Sequence, residues 1–319
     1  MVINSYAELI ELIDKKGRVV TTTSLEEDSF GVKSISDTEI SESGIVTIGG
    51  CKVFAEVLNA APTLIICGAG HVGMNVCMLG SKLGFDVDVV DDRKVFLTKE
   101  RFPDARRLIL CDNFDDDFWN EIPDGGNSYY VMCSRSHDTD GTCIRHTLRR
   151  KGIYKGMLGS GKKLRGIKER LFAEGFTEED FKVLHTPIGL PLGGQTPMEV
   201  ALSIMAEIVQ VRHREELLTI EPDICDAIRN NKGMKAVMLT IVSTSGSSAR
   251  KTGSKMLVLP DARIFGSIGG GVVEYMATKH AATVEAAEIR EYDLSEDMDG
   301  VQGMYGAGRI RVLFEPIEL

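Results

Sequence analysis

The middle of the chain alternates short apolar runs with helical stretches. Thr63-Leu64-Ile65-Ile66-Cys67 is apolar without a polar alternate, the pattern of a strand covered on both faces. A Gly-rich turn follows, then a helical pattern from His71 to Leu83. Phe85 to Val90 reads as a second buried strand ending in Asp91-Asp92-Arg93, Arg107 to Leu110 as a third and Ser128 to Cys133 as a fourth. Cys143 to Lys151 reads as a helix, Tyr154 to Leu158 as a fifth strand, and Lys162 to Glu174 as the next helix. Strands and helices of these lengths in strict alternation predict a right-handed, doubly wound parallel sheet.

The flanks read differently. Met1 to Lys16 has the pattern of an amphipathic acidic helix and not of a signal peptide. Pro187 to Pro197 is a Gly/Pro-rich connection leading to a long helix, Met198 to Arg214, with Pro197 in its first turn. A short helix to Asn231 follows Glu221-Pro222. Lys235 to Val242 then reads as a strand, Lys255–Leu259 and Ile264–Phe265 as a hairpin, Val272 to Ala287 as a helix and Arg309 to Phe314 as a closing strand. The opening helix and Gly17 to Ser24 echo Ile224 to Ser243, and Gly49 to Glu56 echoes Ala307 to Glu315. The expected class is therefore α/β, a Rossmann-like doubly wound parallel sheet plus a smaller α/β domain rich in Gly and Ser. The expected division is a degenerate copy of that smaller domain over 1–60, the Rossmann domain over 61–190, a helical connection over 191–232 and the Gly/Ser-rich domain over 233–319.

Composition narrows the function. With 319 residues and 43% apolar content the chain has ample core for two or three domains. Its net charge of −10 argues against binding nucleic acid by phosphate neutralisation. No uninterrupted apolar stretch nears the roughly 18 residues of a membrane span. Seven cysteines, an odd number without a C-x-x-C pair, sit mostly in strand-like runs, the usage of a reducing cytoplasm, so no metal site is expected.

Candidate chemistry begins at Gly68-Ala69-Gly70-His71-Val72-Gly73, which follows a buried strand and opens a helix. In that context G-x-G-x-x-G is a dinucleotide fingerprint: Gly68 for the turn, Gly70 for backbone approach to the pyrophosphate, Gly73 for close helix–strand packing. His71 either touches the phosphates or fills space beside the turn. Asp91, 18 residues past Gly73, falls where a carboxylate would meet ribose hydroxyls, which favours NAD; Asp92 could share the role, and Arg93 could instead accept a 2′-phosphate. Ser134-Arg135-Ser136-His137-Asp138-Thr139-Asp140 falls at the carboxyl edge of the sheet. There His137 and Asp140 could form a proton-transfer pair, Ser134 could touch the cofactor, or Asp138 or Asp140 could cap the next helix. In the last domain, Ser243 to Gly253 and Gly266 to Glu274 are Gly/Ser-rich loops. Ser247, Arg250, Ser267, Gly269, Gly270, Gly271 and Glu274 either form an anion site or belong to solvated turns.

These stretches, with GMLGSGKK (Gly156 to Lys163), PIGLPLGGQTPMEVALSIMAEIV, GSSARKTGSKM, GSIGGGVVE and the closing RIRVLFEP, resemble the xanthine dehydrogenase accessory factor family, XdhC/CoxI. In the family's usual order the Gly/Ser-rich domain precedes the Rossmann domain; here it follows. The resemblance implies a cytoplasmic maturation factor that binds molybdenum cofactor (a phosphorylated molybdopterin) and aids its sulfuration or insertion into a molybdenum hydroxylase such as xanthine dehydrogenase. It also implies a cysteine desulfurase as a further partner. A homodimer is expected because a second protomer could complete the shortened N-terminal copy. Many relatives carry Cys where this chain has Val272 and Gly306, and Pro where it has Ala249, so thiolate chemistry at those positions is not expected. The expected function is this accessory role, with the cofactor held in the cleft between the Rossmann and Gly/Ser-rich domains. The alternatives are an NAD-dependent oxidoreductase using His137 and Asp140, and an NAD-sensing regulator.

Overall fold

A computed structural model describes residues 1–114, 116–122, 126–214, 219–246, 250–293 and 308–319. The chain divides into two compact units, Met1–Ala60 with Leu217–Leu319, and Ala61–Glu216. The first begins with α1 (Tyr6–Lys16), β1 (Arg18–Ser24), β2 (Lys33–Ser36), β3 (Gly44–Ile48) and β4 (Cys51–Asn59). Ser5 caps α1 by accepting from the Glu8 amide, and Gly17, at φ +76°, ends it. The four strands pair antiparallel in the order β2-β1-β4-β3.

The second unit contains β5 (Thr63–Cys67), α2 (His71–Lys82), β6 (Asp86–Asp91), β7 (Arg107–Leu110), α3 (Asp116–Glu121) and β8 (Ser128–Met132). It continues with α4 (His137–Leu148), β9 (Tyr154–Met157), α5 (Gly161–Ala173), β10 (Leu184–His185) and α6 (Pro197–Arg214). Its six strands are all parallel, in the order β10-β9-β8-β5-β6-β7. The order reverses between β5 and β8, and ligands bind outside the carboxyl ends of strands at such a switch point. Apolar side chains cover both faces. Val76 and Cys77 of α2 pack with Ala201, Ile204 and Ile208 of α6 on one face. On the other lie Phe118 and Trp119 of α3, Ile144 of α4, and Ile167 and Leu171 of α5.

The first unit resumes with α7 (Pro222–Asn230), β11 (Lys235–Gly246), β12 (Lys255–Val258), β13 (Ile264–Gly266), α8 (Gly271–Ala281), β14 (Glu288–Asp293) and β15 (Gly308–Glu318). These strands form an antiparallel sheet in the order β13-β12-β11-β15-β14. Leu9, Ile10 and Ile13 of α1 share a core with Ile224 and Ile228 of α7 and Met238 of β11.

Several elements depart from the sequence reading. The expected parallel sheet forms with one more strand, β10, which is only two residues long. Helix α4 starts at His137, not Cys143, so SHDTD is a helix start; Ser136, not either Asp, is its cap, accepting from the Thr139 amide at 3.2 Å. Helix α8 stops at Ala281, and residues 288–293, next to its expected end at Ala287, pair as β14 with β15. In the region read as a helical connection, α6 packs against α2 in the parallel-sheet unit, while α7 packs in the other. No helix among the described residues is long and apolar enough to cross a membrane.

Candidate functional site

The phosphate loop spans the turn from β5 to α2. Gly68 has φ +132°, and a Cβ there would lie 2.4 Å from the Cys133 carbonyl oxygen. A Cβ on Gly73 would lie 2.0 Å from the Gly68 carbonyl oxygen. Both positions therefore exclude any side chain, and both serve to bring β5, the turn and α2 together. Gly70 differs: nothing stands within 4 Å of its Cβ direction, and it caps α2 without a side-chain bond. The backbone there is open to an approaching group, at a helix start whose first amides attract anions. These features fit a dinucleotide pyrophosphate. His71 is exposed at the first position of α2, so it does not fill space beside the turn; Val72 packs on the core below.

Asp91 ends β6 buried. Its Oδ1 accepts from the Arg93 amide at 2.9 Å and from Arg93 Nε at 2.8 Å. Its Oδ2 accepts from the Ala69 amide at 2.7 Å and from Arg93 Nη2 at 2.9 Å. Burial would raise this carboxyl, but Arg93 and the Ala69 amide outweigh it and hold it below the usual carboxylate range. Asp91 thus ties the phosphate loop to the end of β6. Asp92 pairs with Arg135 Nη2 at 2.8 Å, a residue sequence reasoning gave no role.

At the ends of β8 and β9 a second cluster forms. Fully buried Asp140 accepts from the Ser134 amide at 3.0 Å, from the Ser134 hydroxyl, and from Lys163 Nζ. Lys163 also donates to the Leu158 carbonyl at 3.2 Å. It lies in the first turn of α5, which Ser160 caps, where a cation opposes the helix dipole; that unfavourable placement is the signal that could have singled it out. The structure brings Ser134 and Lys163 to Asp140, whereas the side chain of His137 lies outside the described residues. Cys133 lies beside this edge, its Sγ 3.6 Å from the Gly68 carbonyl oxygen, and burial pushes its thiol up. Burial does the same for Cys143, so neither offers a thiolate.

In the other unit the loop before α8 folds around Glu274. Its Oε1 accepts from the Ser267 hydroxyl at 2.5 Å, the Ile268 amide at 3.0 Å and the Gly270 amide at 2.8 Å. Gly269, Gly270 and Gly271 all have positive φ, as the turn demands. Donors expected to face an anion are therefore bound to a carboxylate of the chain itself. Arg250 Nη1 meets Glu221 Oε1 at 3.2 Å; burial raises that carboxyl against the pull of Arg250. Ser247 and Gly306 lie outside the described residues. Among the described residues no group of three or more His, Cys, Asp or Glu side chains could hold a metal ion.

The family model described as the XdhC Rossmann domain matches residues 64–208, from β5 into α6. The model of the XdhC and CoxI family matches residues 230–293. The chain is 30% identical over 165 residues to the uncharacterized protein YqeB of Escherichia coli, covering 52% of this chain and 30% of that protein. It is also 30% identical over 163 residues to a Bacillus subtilis protein named as a probable subunit of xanthine dehydrogenase, covering 51% of this chain and 47% of that one. The chain thus spans less than half the length of either curated relative. A crystal structure of a xanthine dehydrogenase from Bacillus halodurans shares the fold, with a TM-score of 0.53 at 23% identity over 64% of this chain and 62% of that chain. With one family model over the parallel sheet and a second over α8 and the strands around it, the chain belongs to the XdhC and CoxI family.

Proposed function

We propose that this chain is an accessory factor for a molybdenum hydroxylase of the xanthine dehydrogenase type, and that its Rossmann unit holds a nicotinamide dinucleotide. The observation that carries the reading is the open backbone at Gly70, set at the switch point of a parallel sheet. Similarity to proteins named for xanthine dehydrogenase supplies the partner class. A bound dinucleotide would supply hydride chemistry or a redox signal. Gly68, Gly70 and Gly73 would shape the loop, the first amides of α2 would hold the pyrophosphate, and the end of β6 would meet the adenosine ribose.

Molybdenum cofactor enters as cargo. The amides of the loop before α8 point at Glu274, so a cargo phosphate there has to displace that carboxylate. Glu274→Gln weakens the hold and is expected to tighten molybdopterin binding relative to wild type in calorimetric titration. Equal or weaker binding by the variant removes the loop from the cargo site. Sulfur carriage by Cys133 or Cys143 is not part of the proposal, because both thiols are buried and neutral. The accessory role itself is tested by adding the protein to the unloaded hydroxylase with cofactor. A rise in molybdenum content and turnover is expected, and no rise sinks the reading.

A second reading, an oxidoreductase, rests on the buried Asp140–Lys163 pair at the same sheet edge. Here Lys163 takes the acid/base role that the sequence gives to His137, with Asp140 orienting it. It predicts substrate-dependent oxidation or reduction of the nicotinamide without the hydroxylase, lost in Lys163→Met. Consumption that persists in that variant removes Lys163 from the chemistry.

A further inference from the structure

We propose that the dinucleotide site selects a phosphorylated adenosine ribose, an NADP-type ligand over NAD, and that Arg93 and Arg135 make the selection. The inference rests on the dinucleotide reading above. An ionised carboxylate has about four acceptor positions, and Asp91 uses four: two on Oδ1 for the Arg93 amide and Nε, two on Oδ2 for the Ala69 amide and Arg93 Nη2. No acceptor on Asp91 is left for ribose hydroxyls. The acid that would favour NAD in the sequence is spent on holding the loop.

What faces a ligand is the other charge. The Asp91 and Asp92 side chains are 2% and 7% exposed, whereas Arg93 and Arg135 are 27% and 55% exposed. The carboxylates lie beneath their own guanidinium partners. Arg93 also lies 4.0 Å from the Phe96 ring centroid, which fixes the plane of its fork at the end of β6. Arg101, 5.0 Å from the same ring, donates Nη2 to the Ala69 carbonyl at 3.1 Å, while its Nε is buried without a partner. Two guanidiniums therefore cover two carboxylates beside the phosphate loop, and a third, on Arg101, holds the loop's Ala69 carbonyl. With its Nε–Nη2 edge given to Asp91, Arg93 keeps its other N–H donors, as Arg135 keeps those beyond its bond to Asp92, and such cationic donors suit a phosphate monoester better than a neutral hydroxyl pair.

The test is calorimetric titration of the whole protein with NAD⁺, NADP⁺, ADP and 2′,5′-ADP. NADP⁺ is expected to bind about tenfold or more tightly than NAD⁺, and 2′,5′-ADP to exceed ADP by a similar factor. Arg135→Ala, at an exposed position that leaves the fold intact, is expected to weaken NADP⁺ and 2′,5′-ADP while leaving NAD⁺ and ADP within about twofold. Arg93→Ala uncovers Asp91 and is expected to weaken NADP⁺ while tightening NAD⁺. Binding of NAD⁺ equal to or tighter than NADP⁺, or a uniform loss across all four ligands in both variants, overturns the selection while leaving the dinucleotide site standing. Binding of none of the four overturns the dinucleotide reading, and the selection falls with it.

Discussion

At the scale of single residues, the glycines of the phosphate loop divide by what a methyl group would meet. Gly73→Ala drives a Cβ to 2.0 Å from the Gly68 carbonyl oxygen, a backbone atom that can move only by shifting the turn. It should destabilise the protein by about 1–3 kcal/mol and abolish dinucleotide binding together. Gly70→Ala meets open space at an ordinary φ of −73°, so stability should stay within about 0.5 kcal/mol while dinucleotide affinity falls tenfold or more. Thermal melts and titrations on both variants check the split; equal effects on stability would refute it. Asp140 behaves differently again. It is fully buried, and Asp140→Asn leaves the Lys163 ammonium, itself mostly covered, without its counter-charge. A loss of about 3–5 kcal/mol is expected in denaturant unfolding.

At the scale of elements, partners decide where helices and strands end. Val284 to Ala287 carry helix-forming residues, yet Thr283 returns its amide and hydroxyl to the His280 carbonyl, both at 2.8 Å, and the chain leaves α8. Residues 288–293 then gain a ladder with β15, which outweighs local propensity. The start of α8 depends on Glu274 in the same way. Three donors on Ser267, Ile268 and Gly270 converge on one carboxylate oxygen and hold three glycines at positive φ. Glu274→Ala strips all three and should cost about 1–3 kcal/mol, with faster amide hydrogen exchange at Ile268 and Gly270. Unchanged exchange there would show that the loop holds its shape without the carboxylate.

At the scale of the whole molecule, a buried charge network joins the two ends of the chain. Lys33 Nζ bonds Thr23 Oγ1 at 2.8 Å and Glu56 at 3.2 Å and lies 3.4 Å from Glu315. Lys255 Nζ bonds Thr240 Oγ1 at 3.0 Å and Glu56 at 2.6 Å. The Tyr6 hydroxyl donates to Glu315 at 2.9 Å. Each lysine opens its strand opposite a threonine, Thr23↔Lys33 and Thr240↔Lys255, so the N-terminal and C-terminal sheets repeat one pairing. Burial would raise the Glu56 carboxyl, but Lys255 and Lys33 outweigh it and hold it down. A carboxyl depressed in the folded state stabilises above its unfolded pKa, about 4.3, and that stability drains away as pH falls through the folded value. The melting temperature should therefore drop between pH 5 and strong acid. Glu56→Gln should cost about 3–5 kcal/mol at neutral pH, because two buried ammonium groups lose an anion, and should flatten the acid limb. Asp88 and Asp91 are depressed in the other unit with the same sign, so the difference between variant and wild type, not the wild-type curve, isolates Glu56.

The parallel sheet and its phosphate loop were legible in the sequence because both follow from local rules. A strand buried on both faces must be apolar where it is covered, as Leu64 to Cys67 is, and a turn whose atoms approach within 2.4 Å of a Cβ must be glycine. The short strands β2, β3, β10 and β14 left no such mark, since each is held by its ladder with a partner strand and not by an apolar run of its own; only the Gly49-Gly50 turn that joins β3 to β4 was a local signal. Charge partners were equally hidden. Nothing in Asp91-Asp92-Arg93 says that the arginine folds back over the first acid, nor in SHDTD that Asp140 meets Lys163, 23 residues on. Local sequence sets periodicity and steric allowance; which charge neutralises which depends on approach through space. That choice, made only by the tertiary structure, covers the acids at the end of β6 and leaves their arginines the more exposed groups.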